Sequence, residues 1–200
     1  MTRKEIRVVG FGGQGVVLSG FIIGRACAIE AGQHATMIQS FGPEARGSAC
    51  SATLVVSGDE VLYPYIRRPD YLVVMSAEGY EKYAGELKDD GTLVHEKDLV
   101  HPVCKDGQPA FGVPSTRIAE QLGRPVVQNI VMLGFFAAVS RIVSREQMRV
   151  AVKASVPAGT EELNLKAFDA GWQYYEEEYG GEKGKKERED SIAAGPEKQS

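Results

Sequence analysis

Residues 8–17 read Val8-Val9-Gly10-Phe11-Gly12-Gly13-Gln14-Gly15-Val16-Val17. An apolar run breaks into a cluster of glycines and an amphipathic segment follows, which predicts the strand, tight loop and helix of a βα unit. Gly10, Gly12 and Gly15 stand at the G-x-G-x-x-G spacing of the dinucleotide fingerprint. That spacing serves a tight turn, close approach of an anion to the backbone, and close packing of helix on strand. The unpaired N–H groups that open such a helix attract negative charge. Gly10, Gly12, Gly13, Gln14 and Gly15 are therefore candidate cofactor-binding residues.

Outward from this loop, Glu5 to Val9 reads as a buried strand and Val16 to Ala31 as the first helix. Val17, Phe21, Ile22, Ala26 and Ile29 fall near helical spacing, and Gly32 suits the helix end. Ala35 to Gln39 is the second strand. A nicotinamide site needs Asp or Glu at the end of that strand to hold the ribose hydroxyls. The chain has Gln39 and Ser40 there, and Glu30 lies before Gly32, out of reach. The missing acid argues against NAD, NADP or FAD.

The second unusual stretch is Ser40-Phe41-Gly42-Pro43-Glu44-Ala45-Arg46-Gly47-Ser48-Ala49-Cys50-Ser51. Gly42-Pro43 is a turn signal and Gly47-Ser48 a second break. Following a strand, this loop falls at the carboxyl edge where open α/β sheets place ligands. Arg46 offers a guanidinium, Glu44 a carboxylate and Ser48 a hydroxyl. Gly42, Pro43, Glu44, Arg46, Gly47 and Ser48 join the cofactor-binding candidates. The alternative is a surface loop with a local ion pair.

Further along, Ala52–Ser57, Tyr71–Ser76 and Thr92–Val94 read as strands, and Ala77–Leu87 as helical. Val61–Ile66, interrupted by Pro64, suits an edge or an irregular connection. Leu99–Val113 reads as loops and short extended pieces. A short helix follows Pro114, capped by Ser115 or Thr116 and ended by Gly123. Val126–Ile142 is apolar enough for a buried helix. Within it, Asn129 either bonds a neighbouring loop or is a satisfied buried amide. Ser144-Arg145-Glu146-Gln147 is a capping box that opens a helix to about Lys153. Thr160-Glu161-Glu162 opens the last helix, to about Tyr179. This order predicts a doubly wound, mostly parallel α/β sheet with helices on both faces, a single domain over residues 1–179. Residues 180–200 are charged and nearly free of apolar side chains, so a disordered tail or a partner-bound arm is expected there.

Composition narrows the function classes. The net charge of -4 offers no basic face for nucleic acid. No apolar run approaches the roughly 20 residues of a membrane span. The first residues lack a signal-peptide core, so a cytoplasmic location is expected. Cys27, Cys50 and Cys104 are scattered and form no C-x-x-C pair, so neither a disulfide framework nor a four-cysteine cluster is expected of this chain alone. His34, His95 and His101 show no metal-ligand spacing.

Taken together, Gly10-Phe11-Gly12-Gly13-Gln14-Gly15-Val16 and Phe41-Gly42-Pro43-Glu44-Ala45-Arg46-Gly47-Ser48 resemble the gamma subunit of the 2-oxoacid:ferredoxin oxidoreductases. Asn129-Ile130-Val131-Met132-Leu133-Gly134 and Glu162-Leu163-Asn164-Leu165-Lys166-Ala167-Phe168-Asp169-Ala170-Gly171 agree with it. The resemblance spans about residues 4–178. It implies one component of an enzyme that cleaves a 2-oxoacid with thiamine diphosphate, transfers the acyl group to coenzyme A and passes electrons through iron–sulfur clusters to ferredoxin. Thiamine diphosphate, Mg2+ and the 4Fe-4S clusters then belong to alpha, beta and ferredoxin-like delta partner subunits. No catalytic residue is implied on this chain. The loop sequences look most like the 2-oxoglutarate branch, while pyruvate, branched-chain and aryl 2-oxoacids (phenylglyoxylate, indolepyruvate) stay open. Other readings are a stand-alone nucleotide-binding protein and a purely structural subunit.

Overall fold

A computed structural model describes residues 2–41 and 49–180. The six strands are β1 (Lys4–Phe11), β2 (His34–Phe41), β3 (Ala49–Ser57), β4 (Tyr71–Val74), β5 (Thr92–Glu96) and β6 (Ala110–Val113). They form one sheet in the order β2-β3-β1-β4-β5-β6. β1, β4, β5 and β6 pair in parallel. β3 alone runs against its neighbours, antiparallel to both β1 and β2.

The reversal follows from chain length. Parallel neighbours need a crossover of a dozen or more residues. Only residues 42–48 separate β2 from β3. The sheet is therefore mixed, although five strands share a direction. Phe11 pairs with Ala49 and Phe41 with Cys50, so the end of β1, the end of β2 and the start of β3 meet at one edge.

Among the described residues six α-helices flank the sheet: α1 (Val16–Arg25), α2 (Ala77–Tyr83), α3 (Ser115–Gln121), α4 (Gln128–Ser140), α5 (Arg145–Lys153) and α6 (Glu161–Tyr179). Alternation along β1 divides its side chains between the two faces. Ile6 and Val8 join the larger core with Leu54, Ile22, Phe135 and Phe168, beneath α1 and α4–α6. Val9 turns to the other face, with Leu72, Val74, Leu87, Leu93 and Val100, where α2 lies and Tyr80 and Tyr83 pack. Helices thus cover both faces, as the sequence predicts. On the α2 side, the buried Arg7 guanidinium lies 4.6 Å from the Tyr83 ring and pairs with Glu86.

α4 is buried nearly all round, ten of its residues being inaccessible. It crosses α6 at backbone contact. A Cβ on Gly134 would stand 1.9 Å from the Phe168 carbonyl oxygen, and one on Gly171 the same 1.9 Å from the Val131 carbonyl oxygen. Only glycine at both places lets the helices approach this closely.

Several local expectations change. The first helix is α-helical only to Arg25, and Ala26–Glu30 forms a π-helical turn before Gly32, at φ 64°, ends it. Of the two readings of Val61–Ile66, the irregular connection holds and no strand forms there. Neither Ser115 nor Thr116 caps α3; its N-cap is Pro114, whose ring carries no hydrogen-bond acceptor. Val126 is 78% exposed, because Pro125–Val127 is a 3-10 turn ahead of α4. The Ser144 capping box is present in both halves. The expected tail lies outside the described residues from 181 onward.

Candidate functional site

The carboxyl ends of β1, β4, β5 and β6 form one edge of the sheet, and the glycine loop sits in its middle. Gly13 (φ 101°) and Gly15 (φ 74°) adopt conformations that disfavour a side chain. Between them Gln14 folds back over the loop. Its Oε1 accepts from the Phe11 N–H at 2.7 Å, its Nε2 donates to the Met75 carbonyl at 3.2 Å, and its own N–H donates to the Phe11 carbonyl at 3.1 Å. Met75 follows β4, so Gln14 ties the end of β1 to the end of the next strand. Gly10 leaves room for this side chain, since a Cβ there would lie 2.6 Å from Gln14 Oε1.

α4 supports the loop from behind. Asn129, buried with 4% exposure, points its Nδ2 at the Gly15 carbonyl, 3.5 Å away, and a Gly15 Cβ would stand 2.5 Å from that nitrogen. Both sequence readings of Asn129 therefore hold: it is a buried amide, and it meets a loop. Ser19 Oγ donates to the same Gly15 carbonyl at 3.0 Å. The N-terminus of α1 has no side-chain cap and no acidic residue in its first turn. Its leading N–H groups are thus unclaimed by side chains of the described residues and suit an anion.

Along the same edge, Ser76 caps α2 by accepting from the Gly79 N–H. Glu96 ends β5 with 1% exposure. Its carboxylate accepts from the Asp98 N–H at 2.9 Å and the Leu99 N–H at 2.7 Å, and it approaches the Thr116 N–H at 3.4 Å. It thus performs for α3 the capping expected of Ser115 or Thr116. Burial raises the Glu96 pKa, and the N–H donors oppose that rise. Neighbouring His95 is held below the ordinary value of 6.5 chiefly by burial.

The structure brings Gly12, Gly13, Gln14 and Gly15 together in one loop, with Gly10 beside them near the end of β1. Gly42, Pro43, Glu44, Arg46, Gly47 and Ser48 lie outside the described residues; their flanks, Phe41 and Ala49, sit at the same edge. Ser76 and Glu96 were not singled out beforehand. Ser76 is a standard helix-cap residue just before an apolar-poor helix, a signal that was available; Glu96 gave none. The described residues hold no group of three or more His, Cys, Asp or Glu able to bind a metal. Cys27 and Cys50 are buried and Cys104 is exposed. Burial pushes the Cys27 thiol up to about 12, far from thiolate character. These residues do not fit an iron–sulfur cluster. No helix among the described residues is long and apolar enough to cross a membrane.

Fold and loop together define an α/β domain with an anion-ready glycine turn and, among the described residues, no acidic partner for a nucleotide ribose at the end of β2. The pyruvate ferredoxin/flavodoxin oxidoreductase family matches residues 5–174, and the chain belongs to that family. It is 44% identical over 181 residues to the 2-oxoglutarate synthase subunit KorC of Methanocaldococcus jannaschii, covering 88% of this chain and 95% of that one. It is 36% identical over 170 residues to the pyruvate synthase subunit PorC of Methanothermobacter thermautotrophicus, covering 82% and 91%. Among solved structures, the gamma subunit of a keto/oxoacid ferredoxin oxidoreductase from Geobacter sulfurreducens superposes with a TM-score of 0.75 at 35% identity, covering 85% of this chain and 96% of that one. The gamma-subunit resemblance read from the paired loops is borne out.

Proposed function

We propose that this chain is the gamma subunit of a 2-oxoacid:ferredoxin oxidoreductase whose substrate is 2-oxoglutarate. The observation that carries the reading is the 44% identity to a 2-oxoglutarate synthase subunit over nearly the full length of both chains. Alpha, beta and delta partners supply thiamine diphosphate, Mg2+ and the 4Fe-4S clusters, coenzyme A is the co-substrate, and ferredoxin takes the electrons. The enzyme is cytoplasmic, and this chain alone is not catalytic.

Its own contribution is positional. The glycine loop faces the partner subunits, and the unclaimed N–H groups of α1 meet an anionic group held at that junction. Gln14 and Asn129 fix the loop's shape, and Arg46 is the residue that supplies positive charge. The free N–H groups and the absent ribose acid support this reading over a stand-alone nucleotide-binding protein.

The test is dye-linked turnover of the purified complex under anaerobic conditions across a panel of 2-oxoacids. The reading expects the highest kcat/KM with 2-oxoglutarate; a higher value with pyruvate or an aryl 2-oxoacid overturns the substrate assignment. Arg46→Ala combined with Gly13→Ala is expected to raise the KM for coenzyme A or to lower kcat in an assembled complex. Normal assembly with normal turnover overturns the role given to the loops.

A further inference from the structure

The two outer edges of the sheet are treated differently. At one end β6 is only four residues long, and Tyr179 from α6 closes it. The Tyr179 hydroxyl accepts from the Gly112 N–H and donates to the Gly112 carbonyl, both at 3.2 Å. At the other end β2 is eight residues long, His-Ala-Thr-Met-Ile-Gln-Ser-Phe, with no proline and no Asp, Glu, Lys or Arg. No residue from His34 to Ser40 is buried. Soluble proteins protect an edge like this with charge, proline, a bulge or a cover. None is present among the described residues.

Beside the edge is an open apolar groove of about 340 Å3, lined by Phe21 and Ile29 and by Ala28, Ala35 and Met37. Phe21 is 51% exposed and Ile29 67%. Residues 8–24 and 31–43 contain no Asp, Glu, Lys or Arg, although a quarter of the chain is charged. Such local charge depletion around exposed aromatic and aliphatic side chains marks the centre of a protein interface.

We infer that β2 and this groove form a twofold interface with a second copy of the chain. β2 pairs antiparallel with β2 of the second copy, and the two sheets become one. The patch is self-complementary in charge. The pairing sets no like charges opposite one another along the strand, and the rim carries one cation and one anion, Arg25 and Glu30, only 3.8 Å apart, able to pair across the axis as well as within the copy. The axis passes near Met37 and Ile38 at the middle of β2. Gly20 packs beside Met37, so its neighbour Phe21 comes nearest its own counterpart. The area suffices. A strand of this length is about 26 Å long, and a sheet layer plus a helix layer is about 20 Å deep, giving roughly 500 Å2 per copy and about 1,000 Å2 in all, the lower bound for a specific interface. Because Tyr179 closes the β6 edge, a β2-to-β6 filament is blocked and the pairing ends at a dimer.

The full chain, purified and measured by light scattering over a concentration series, is expected to approach twice 21.7 kDa. Phe21→Lys and Ile29→Lys are each expected to shift the dimer–monomer midpoint at least tenfold towards monomer. Leu62→Lys, at an 84% exposed site elsewhere, is expected to leave it unchanged. A Phe21→Cys variant with the exposed Cys104 changed to serine is expected to form a disulfide-linked pair on oxidation, both alone and within the complex purified through this chain. A monomer at every concentration with no cross-link in either setting overturns the inference. So does a dimer that survives both lysine variants.

Discussion

Alanine at position 15 places a methyl group where the structure has none to spare. Gly15 sits at φ 74°, and its Cβ would stand 2.5 Å from Asn129 Nδ2, 2.7 Å from Cγ and 3.1 Å from Cβ. Two penalties follow. The left-handed backbone costs about 1–2 kcal/mol for any residue with a Cβ. The collision with a buried side chain on α4 adds about 1–3 kcal/mol. Gly15→Ala is therefore expected to lose about 2–5 kcal/mol of unfolding free energy in urea titrations. Asn129→Ala removes a buried amide whose bond to Gly15 is long, and costs about 1 kcal/mol. In the double variant the contacts with Nδ2 and Cγ are gone, while the backbone strain and the 3.1 Å contact with the remaining Cβ stay. Its loss should then fall short of the sum of the single losses by at least about 1 kcal/mol. Gly13→Ala is the control. At φ 101° it is strained, but among the described residues no atom beyond its chain neighbours lies within 4 Å of its Cβ, so it should add to Asn129→Ala without coupling. Additivity of Gly15→Ala with Asn129→Ala to within about 0.5 kcal/mol would refute the packing of α4 against the loop.

Gly171→Ala drives a methyl group to 1.9 Å from the Val131 carbonyl oxygen, so α4 and α6 must part. A loss of about 3 kcal/mol or more is expected in the same titration, and a loss below about 1 kcal/mol contradicts the crossing. Gln14→Ala removes two side-chain bonds, to Phe11 and Met75, and should lower stability by about 1–3 kcal/mol while speeding amide exchange at Phe11; unchanged exchange there refutes the clamp. His95 has a folded pKa below its ordinary 6.5, so unfolding takes up a proton as the pH drops through that value. The stability it supports is present above pH 6.5 and is lost as the pH falls below it, and His95→Gln should flatten that fall. An identical slope in the variant contradicts the burial.

The features read correctly from the sequence are those whose causes are local. The capping box at Ser144 and Gln147 involves residues three apart, and both halves form. The glycine loop is legible because Gly10, Gly13 and Gly15 each answer a constraint within a few residues or at a fixed φ. The reversed strand was legible in principle, since residues 42–48 are too few to carry a parallel crossover and no helix separates β2 from β3. What stayed hidden acts across long separations. Glu96 caps a helix that begins nineteen residues later, and nothing near Pro114 points to it. Gly134 and Gly171 read as ordinary helix-weakening glycines until the two helices are laid across one another. The clamp made by Gln14 needed Met75, sixty-one residues away. The second loop, from Gly42 to Ser48, lies outside the described residues, so its part in the site rests on the sequence and on its flanks.

The central claim is that this chain works as one subunit of a larger oxidoreductase. Purifying the tagged chain from its own cells without air, and determining the composition and visible spectrum of the eluate, tests it most directly. The account predicts partner subunits in fixed ratio, the broad absorbance of iron–sulfur clusters, and bleaching of that absorbance when 2-oxoglutarate and coenzyme A are added. A colourless eluate containing this chain alone, from an extract that oxidises 2-oxoglutarate, would contradict it.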